Sequence, residues 1–322
     1  MRIKEFEIKN LYSKYFIKSQ LDEKVNIIVG NNGSFKSTLL EIVRRIITAF
    51  NSSYESFEER TITNYEEVNI SLENNVVLRS LVSSGRKRKV GEIENRSLGY
   101  LEERKIYKHI DIIHALKVFK EDKELDSFDS SKIKVDYVST FDIKDTDSNT
   151  RETLLDKQLK QLQSDYGYYL NGLLKIFTGN LNAQGNVTKE DYNNIYARKI
   201  LFENLVNEAF KETGKVIDKN ADKLRFIIDD NTTIGADGLS SGEKQLLIIL
   251  LTTLLEDGEE YILIMDEPEI SLHISWQYKL IDWVLQLNPN VQIILTTHSP
   301  MIFADGWGDK AIYMDKITKT GK

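Results

Sequence analysis

The sequence predicts an α/β fold with a mostly parallel central sheet, accompanied by an antiparallel β subdomain and a short helical-hairpin lid. Three observations carry this. The runs "VNIIV", "YILIMD" and "VQIILTT" are continuously apolar, as strands buried on both faces are. Stretches with apolar residues at three- and four-residue steps lie between them. From Leu224 onward strand and helix alternate, which calls for crossover connections and parallel neighbours.

Taken in order, "IKEFEI" (Ile3 to Ile8) alternates with period two and reads as a half-buried strand. Val25 to Val29 is a buried strand ending in Gly30. Leu39, Leu40, Ile42, Val43, Ile46 and Ile47 then share one helical face between Lys36 and Phe50. Residues 51–132 are harder to read. "EVNISL" and "VVLRSLV" form an antiparallel pair with Asn74 and Asn75 near the turn. The basic run Arg86 to Lys89 follows, Glu121 to Ser131 reads as an acidic surface loop, and "IKVDYVS" is again a strand. Thr150 to Phe177 and Tyr192 to Thr213 make a helical hairpin around the turn "TGNLNAQGNVTKE". "LRFIID" is a strand, Ser241 to Leu255 a helix, and Ser271 to Leu287 a helix carrying Trp276 and Trp283. The expected organisation is one domain over 1–322: a core of 1–50 and 215–322, a β-rich insertion at 51–140 and a helical lid at 141–214.

Composition narrows the class. A net charge of −7 is no general match for a polyanion, although a local basic face remains open. Cysteine is absent, which removes disulfides and thiolate metal sites. The N-terminus has no apolar signal core, and the longest apolar run, Leu246 to Leu251, is too short to span a bilayer. The expectation is a cytoplasmic protein with no membrane association.

Four separated segments have tasks around a nucleoside triphosphate. "GNNGSFKST" lies between a buried strand and a helix, and Gly30, Lys36 and Ser37 fit the spacing G-x-x-x-x-G-K-[ST]. The backbone of Asn31, Asn32, Gly33, Ser34 and Phe35 would cradle phosphate, with Lys36 as a point charge, the Ser37 hydroxyl as a ligand to Mg²⁺ and Thr38 beside it at the helix start. Phe35 stands where the pattern has glycine, so strain or a shifted loop is expected. "YILIMDEPE" brings Asp266 to the C-terminal end of a strand, where it would hold a metal. Glu267 would then polarise an attacking water; the alternative is a solvated acidic turn. "LSSGEKQ" offers Ser240, Ser241 and Gly242 at a helix start, yet taken alone Ser240 with Glu243 is an ordinary N-cap. In "TTHSP", His298 could hydrogen-bond a γ-phosphate or water, whereas a lone histidine is more often structural.

The order of these segments resembles the ATP-binding cassette (ABC) family. "LSSGEKQ" looks like its signature motif, "ILIMDEPE" like the Walker B strand and "TTHSP" like the switch histidine. The string "DEPEISLH" is similar to the soluble branch of chromosome-maintenance, recombination-repair and overcoming-lysogenization-defect ATPases, and to ATPases of anti-phage systems such as Septu. The resemblance is carried by residues 1–50 and 223–316. It implies ATP and Mg²⁺, slow hydrolysis, and a head-to-tail homodimer or higher homo-oligomer joined through the ATP sites. In that arrangement Ser240 and Gly242 of one subunit would meet the γ-phosphate bound by the other. "STFDIKD" lacks the glutamine the family often places after that strand. The 24 residues after His298 leave no room for a fused nuclease, so a separately encoded effector is expected. The alternatives are a DNA-binding repair-type ATPase, with Arg86 to Lys89 on the phosphate backbone, and a non-hydrolysing scaffold. A transporter subunit fits least.

Overall fold

The computed structural model describes residues 1–51, 64–84, 112–125, 133–139, 153–184, 188–219, 221, 223–229 and 232–321. In chain order the strands and helices are β1 (Ile3–Leu11), β2 (Tyr15–Gln20), β3 (Val25–Val29), α1 (Lys36–Asn51), β4 (Glu67–Leu72), β5 (Val76–Ser84), β6 (Ile112–Lys120), β7 (Lys123–Leu125) and β8 (Val135–Ser139). They continue as α2 (Leu154–Gln184), α3 (Lys189–Ile195), α4 (Ala197–Ala209), β9 (Val216–Ile217), β10 (Arg225–Asp229), β11 (Thr232–Gly235) and α5 (Ser241–Leu255). The last are β12 (Tyr261–Asp266), α6 (Ile274–Leu287), β13 (Val291–Thr297), β14 (Ala311–Tyr313), α7 (Met314–Ile317) and β15 (Thr318–Thr320). Two units divide the chain, 1–2, 22–44 and 131–316 in the first, 3–21, 45–130 and 317–322 in the second; the division runs through α1.

The first unit holds a sheet in the order β14-β3-β13-β12-β8 among the described residues, with every pairing parallel. Each residue of β12 and β13 is buried, which explains their unbroken apolar sequences. Helix α5 has Leu246 to Leu251 and Leu254 at or near zero exposure. It is enclosed by α2, α4 and α6, and each such leucine or isoleucine contributes about 1.5–3 kcal/mol relative to an exposed position. The Trp276 indole donates to the Ala209 carbonyl at 3.0 Å, tying α6 to the end of α4. A small antiparallel sheet, β11-β10-β9, precedes α5.

The second unit is an antiparallel sheet in the order β15-β2-β1-β4-β5-β6-β7 among the described residues. β4 alternates half-buried and buried positions, the pattern of a sheet with one covered face. Asn74 and Asn75 turn β4 into β5 with φ of 61° and 58°, a conformation asparagine tolerates better than most residues.

Several expectations need adjustment. The β sheet takes β1, β2 and β15 from outside 51–140, while β8, inside that range, belongs to the parallel sheet. The expected acidic loop begins instead as a hairpin, β6 to β7, turning at Glu121 and Asp122 with φ of 50° and 63°. Helix α2 runs through Gly179 to Gln184 rather than stopping at Phe177. The second lid helix is broken at Tyr196, where α3 and α4 meet. Thr188 and Asp191 form a reciprocal capping box that starts α3. Helix α6 starts at Ile274, with His273 as its N-cap, so Ser271 and Leu272 precede it. The basic run Arg86 to Lys89, the segment 140–145 where a glutamine was sought and the start of the lid at Thr150 lie outside the described residues.

Candidate active site

The C-terminal ends of β3, β12 and β13 are flush. Asp266 pairs with Thr296, and Thr296 and Thr297 pair with Ile28 and Val29. Open parallel sheets gather ligand-binding groups at this edge. A cleft of about 340 Å³ opens there, lined by Asn32, Gly33, Ser34, Phe35, Lys36, Ser37, Thr38, Glu267 and His298.

Lys36 is 4% exposed and sits at the centre. Its Nζ donates to the Gly30 carbonyl at 3.0 Å and lies 2.6 Å from His298 Nε2, with Glu267 Oε1 at 3.9 Å. Burial pulls the Lys36 ammonium below its ordinary range, opposed by the carboxylates of Glu267, Asp266 and Glu269. Glu267 Oε1 also lies 3.2 Å from His298 Nε2. Cation, imidazole and carboxylate therefore touch at one point, each carried by a different segment.

Ser37 Oγ donates to Asp266 Oδ1 at 3.1 Å, and Thr296 Oγ1 donates to the same oxygen. The Glu267 amide donates to Thr296 Oγ1 and to the Thr296 carbonyl, both at 3.1 Å. Thr296, fully buried, thus fixes both acids; two threonines closing the apolar run of β13 were the available signal. As a test of the implied Mg²⁺, the pair Ser37 and Asp266 offers only hard oxygen donors. That suits an ion that takes few protein ligands and fills its octahedron with phosphate and water oxygens. The residues fit.

Backbone conformation matters at three positions. Gly33 has φ 77°, Phe35 φ 70° and Glu267 φ 50°. Phe35 therefore occupies the left-handed region that the motif's glycine would fill without strain.

Ser240, Ser241 and Gly242 are not among the residues lining this cleft. Ser240 and Ser241 are exposed. Ser240 caps α5 in a reciprocal box with Glu243, as the N-cap alternative expected. A Cβ built on Gly242 would lie 2.2 Å from the Ser271 carbonyl oxygen, so the helix start and the segment after Glu269 meet at backbone distance. The structure brings Lys36, Ser37, Asp266, Glu267 and His298 together and leaves the Ser240–Gly242 segment apart from them.

Parallel strands that bring the loop of Gly30 to Lys36, an acidic pair and a histidine to one edge have the fold of an ABC-type P-loop NTPase head. The chain belongs to the family described as "AAA domain, putative AbiEii toxin, Type IV TA system", which matches residues 25–304. It is 23% identical to the "Retron Vc95 probable ATPase" of Vibrio cholerae serotype O1 biovar El Tor, over 87% of this chain and 67% of that protein. It is 24% identical to the "Septu protein PtuA" of Bacillus thuringiensis, over 92% of this chain and 72% of that protein. Among solved structures, an SMC head bound to the C-terminal winged-helix domain of ScpA shares the fold. The TM-score is 0.54 at 14% identity, covering 100% of this chain and 97% of that one. Among the described residues no helix is long and apolar enough to cross a membrane.

Proposed function

We propose that this chain binds ATP with Mg²⁺ in the cleft, hydrolyses it slowly between two head-to-tail copies, and thereby controls a separately encoded effector in bacterial anti-phage defence. The observation that carries this reading is the convergence of Lys36, Ser37, Asp266, Glu267 and His298 on one cleft. Lys36 would neutralise phosphate charge from a buried position, where a fixed charge acts more strongly than in water. Ser37 and Asp266 would hold Mg²⁺, which when bound supplies further neutralisation of the phosphates. Glu267 would accept the proton of the attacking water, and His298, beside it, would orient that water or the γ-phosphate. Ser240 and Gly242 lie outside the cleft, as they would if their target were the nucleotide of a second copy. The names of the retron and Septu relatives support the ATPase and defence parts of the reading.

The test is ATP turnover measured together with oligomeric state, for the native chain and for Lys36→Ala and Glu267→Gln. Expected are loss of nucleotide binding in the first, and retained binding with turnover reduced about 100-fold or more in the second. Glu267→Gln should also trap a nucleotide-dependent dimer. Equal background phosphate release from the native chain and Glu267→Gln would favour a non-hydrolysing scaffold, and turnover without association would sink the sandwich.

A further inference from the structure

Glu269 takes no part in the roles assigned so far, yet its carboxylate is among the most heavily bonded groups near the cleft. One oxygen, Oε1, accepts from three consecutive residues. These are the Thr297 hydroxyl at 2.7 Å, the His298 amide at 2.7 Å and the Ser299 amide at 3.2 Å. Two successive backbone N–H groups on one anion form a nest, and charge-assisted bonds of this length are among the stronger ones in a protein. Ser299 is held in addition by Thr297 Oγ1 at 2.9 Å, and its own hydroxyl donates to Gln277 Oε1 at 2.7 Å.

Glu269 is itself anchored. Its carbonyl accepts from the Leu272 amide at 3.0 Å and from Gln277 Nε2 at 3.4 Å. The residue before it, Pro268, accepts from Gln245 Nε2 at 2.9 Å. Gln245 is wholly buried in α5, one turn from Gly242. A short chain of contacts therefore runs from the start of α5 through Pro268 and Glu269 to the backbone of His298.

We infer that Glu269 is a positioning residue: its carboxylate clamps the turn after β13 so that the His298 ring stays against Lys36 and Glu267. This rests on the ATPase reading for its effect on turnover, but not for its effect on the histidine. Glu269 is not among the residues lining the cleft; its bonds go to the His298 turn, while its charge also reaches Lys36, an effect that Glu269→Gln separates from positioning. Glu269→Ala removes the acceptor of the His298 amide and one of the two acceptors of both the Ser299 amide and the Thr297 hydroxyl. Glu269→Gln keeps an oxygen at that point and removes none of the donors.

The experiment compares Glu269→Ala, Glu269→Gln and the native chain in steady-state ATP hydrolysis, and in proton NMR of the imidazole C2–H of His298. The chain has only four histidines, so His298→Gln assigns that signal. Expected for Glu269→Ala is a loss in kcat of about 10- to 100-fold, the scale of a misplaced group, with KM changed less than about 3-fold and the His298 resonance moved. Glu269→Gln should restore kcat to within about 3-fold of native and return the resonance. Native kcat in Glu269→Ala, or an unmoved resonance in it, overturns the inference. So does a Gln variant as impaired as Ala, because the charge itself would then act on the reactants. If Glu269→Ala does not fold, Thr297→Val removes one donor of the clamp and must move the same resonance. Absence of turnover in the native chain would defeat the proposed function instead, leaving the resonance to judge Glu269.

Discussion

Phe35 holds a backbone angle that glycine reaches without strain. For a residue with a Cβ the left-handed region costs roughly 1–2 kcal/mol, so the loop preserves its path at the expense of local stability. The consequence for chemistry is specific. Because φ is 70° at Phe35 and 77° at Gly33, the substitution does not require the loop to shift, and Phe35→Gly should change turnover by less than about 3-fold. Phe35→Val should be worse than either, since β-branched residues are genuine outliers at positive φ; we expect a further loss of about 1–2 kcal/mol in thermal or denaturant unfolding. A large gain in turnover for Phe35→Gly would instead mark the ring as a brake. The lysine, serine and acidic pair could be read from motif spacing. The angle at residue 35 could not, because the sequence there argues against the conformation adopted.

At the level of elements, α5 shows how structural and functional explanations overlap. Glu243 is 1% exposed. Burial pushes its carboxyl up, but Lys215, the Ser240 amide and the hydroxyls of Thr213 and Ser240 outweigh this and hold it below the usual carboxylate range. The serine that the family motif assigns to phosphate is thus also a cap for its own helix. Gly242 has a packing reason as well. Gly242→Ala would force the start of α5 away from Ser271, and should cost about 1–3 kcal/mol in unfolding free energy before any nucleotide is added. A variant here that loses activity therefore needs its melting curve measured first; an unchanged midpoint would remove the packing explanation. The helix itself was legible from its apolar run, with bounds Ser241–Leu255 as read. The break between α3 and α4 was not, since the periodicity of 192–213 continues across Tyr196. Nor was the passage of α2 through Gly179, because isolated glycine in a helix lowers stability without forbidding it.

For the whole molecule, the parallel sheet was legible because strands buried on both faces leave continuous apolar runs. The antiparallel sheet was only partly so: β15 is three residues of threonine and lysine, placed by pairing with β2 rather than by any pattern of its own. One titration should be visible in global stability. Asp136, level with Leu263 in the sheet, is pushed up to about 7, first by burial and then by the charge of Glu256 and a hydrogen bond to it, with Lys134 pulling the other way. Lys134 also lies 3.4 Å from Glu256 Oε2. The folded chain thus holds a proton that the unfolded chain has released between the ordinary carboxylate range and about pH 7. Stability should rise as pH falls through that window. Nearer pH 4, groups held low such as Glu243 and Asp156 lose their contribution, and the trend reverses. We expect a higher melting midpoint at pH 6 than at pH 8, with the difference reduced in Asp136→Asn; an identical pH dependence in that variant would exclude the pair as its source.

The strand order has a consequence for how the site comes into being. β3, which leads into the loop from Gly30 to Phe35, pairs with β13 and β14 and not with β12. During synthesis, the loop leading to Lys36 and Ser37 must wait for residues 291–297 before β3, the strand it follows, has a neighbour on the side of Asp266. Closing that gap is a long-range event of the kind that slows folding. Assembly of the cleft around Lys36, Asp266 and His298 is therefore a late event of folding, complete only when β13 has taken its place between β3 and β12.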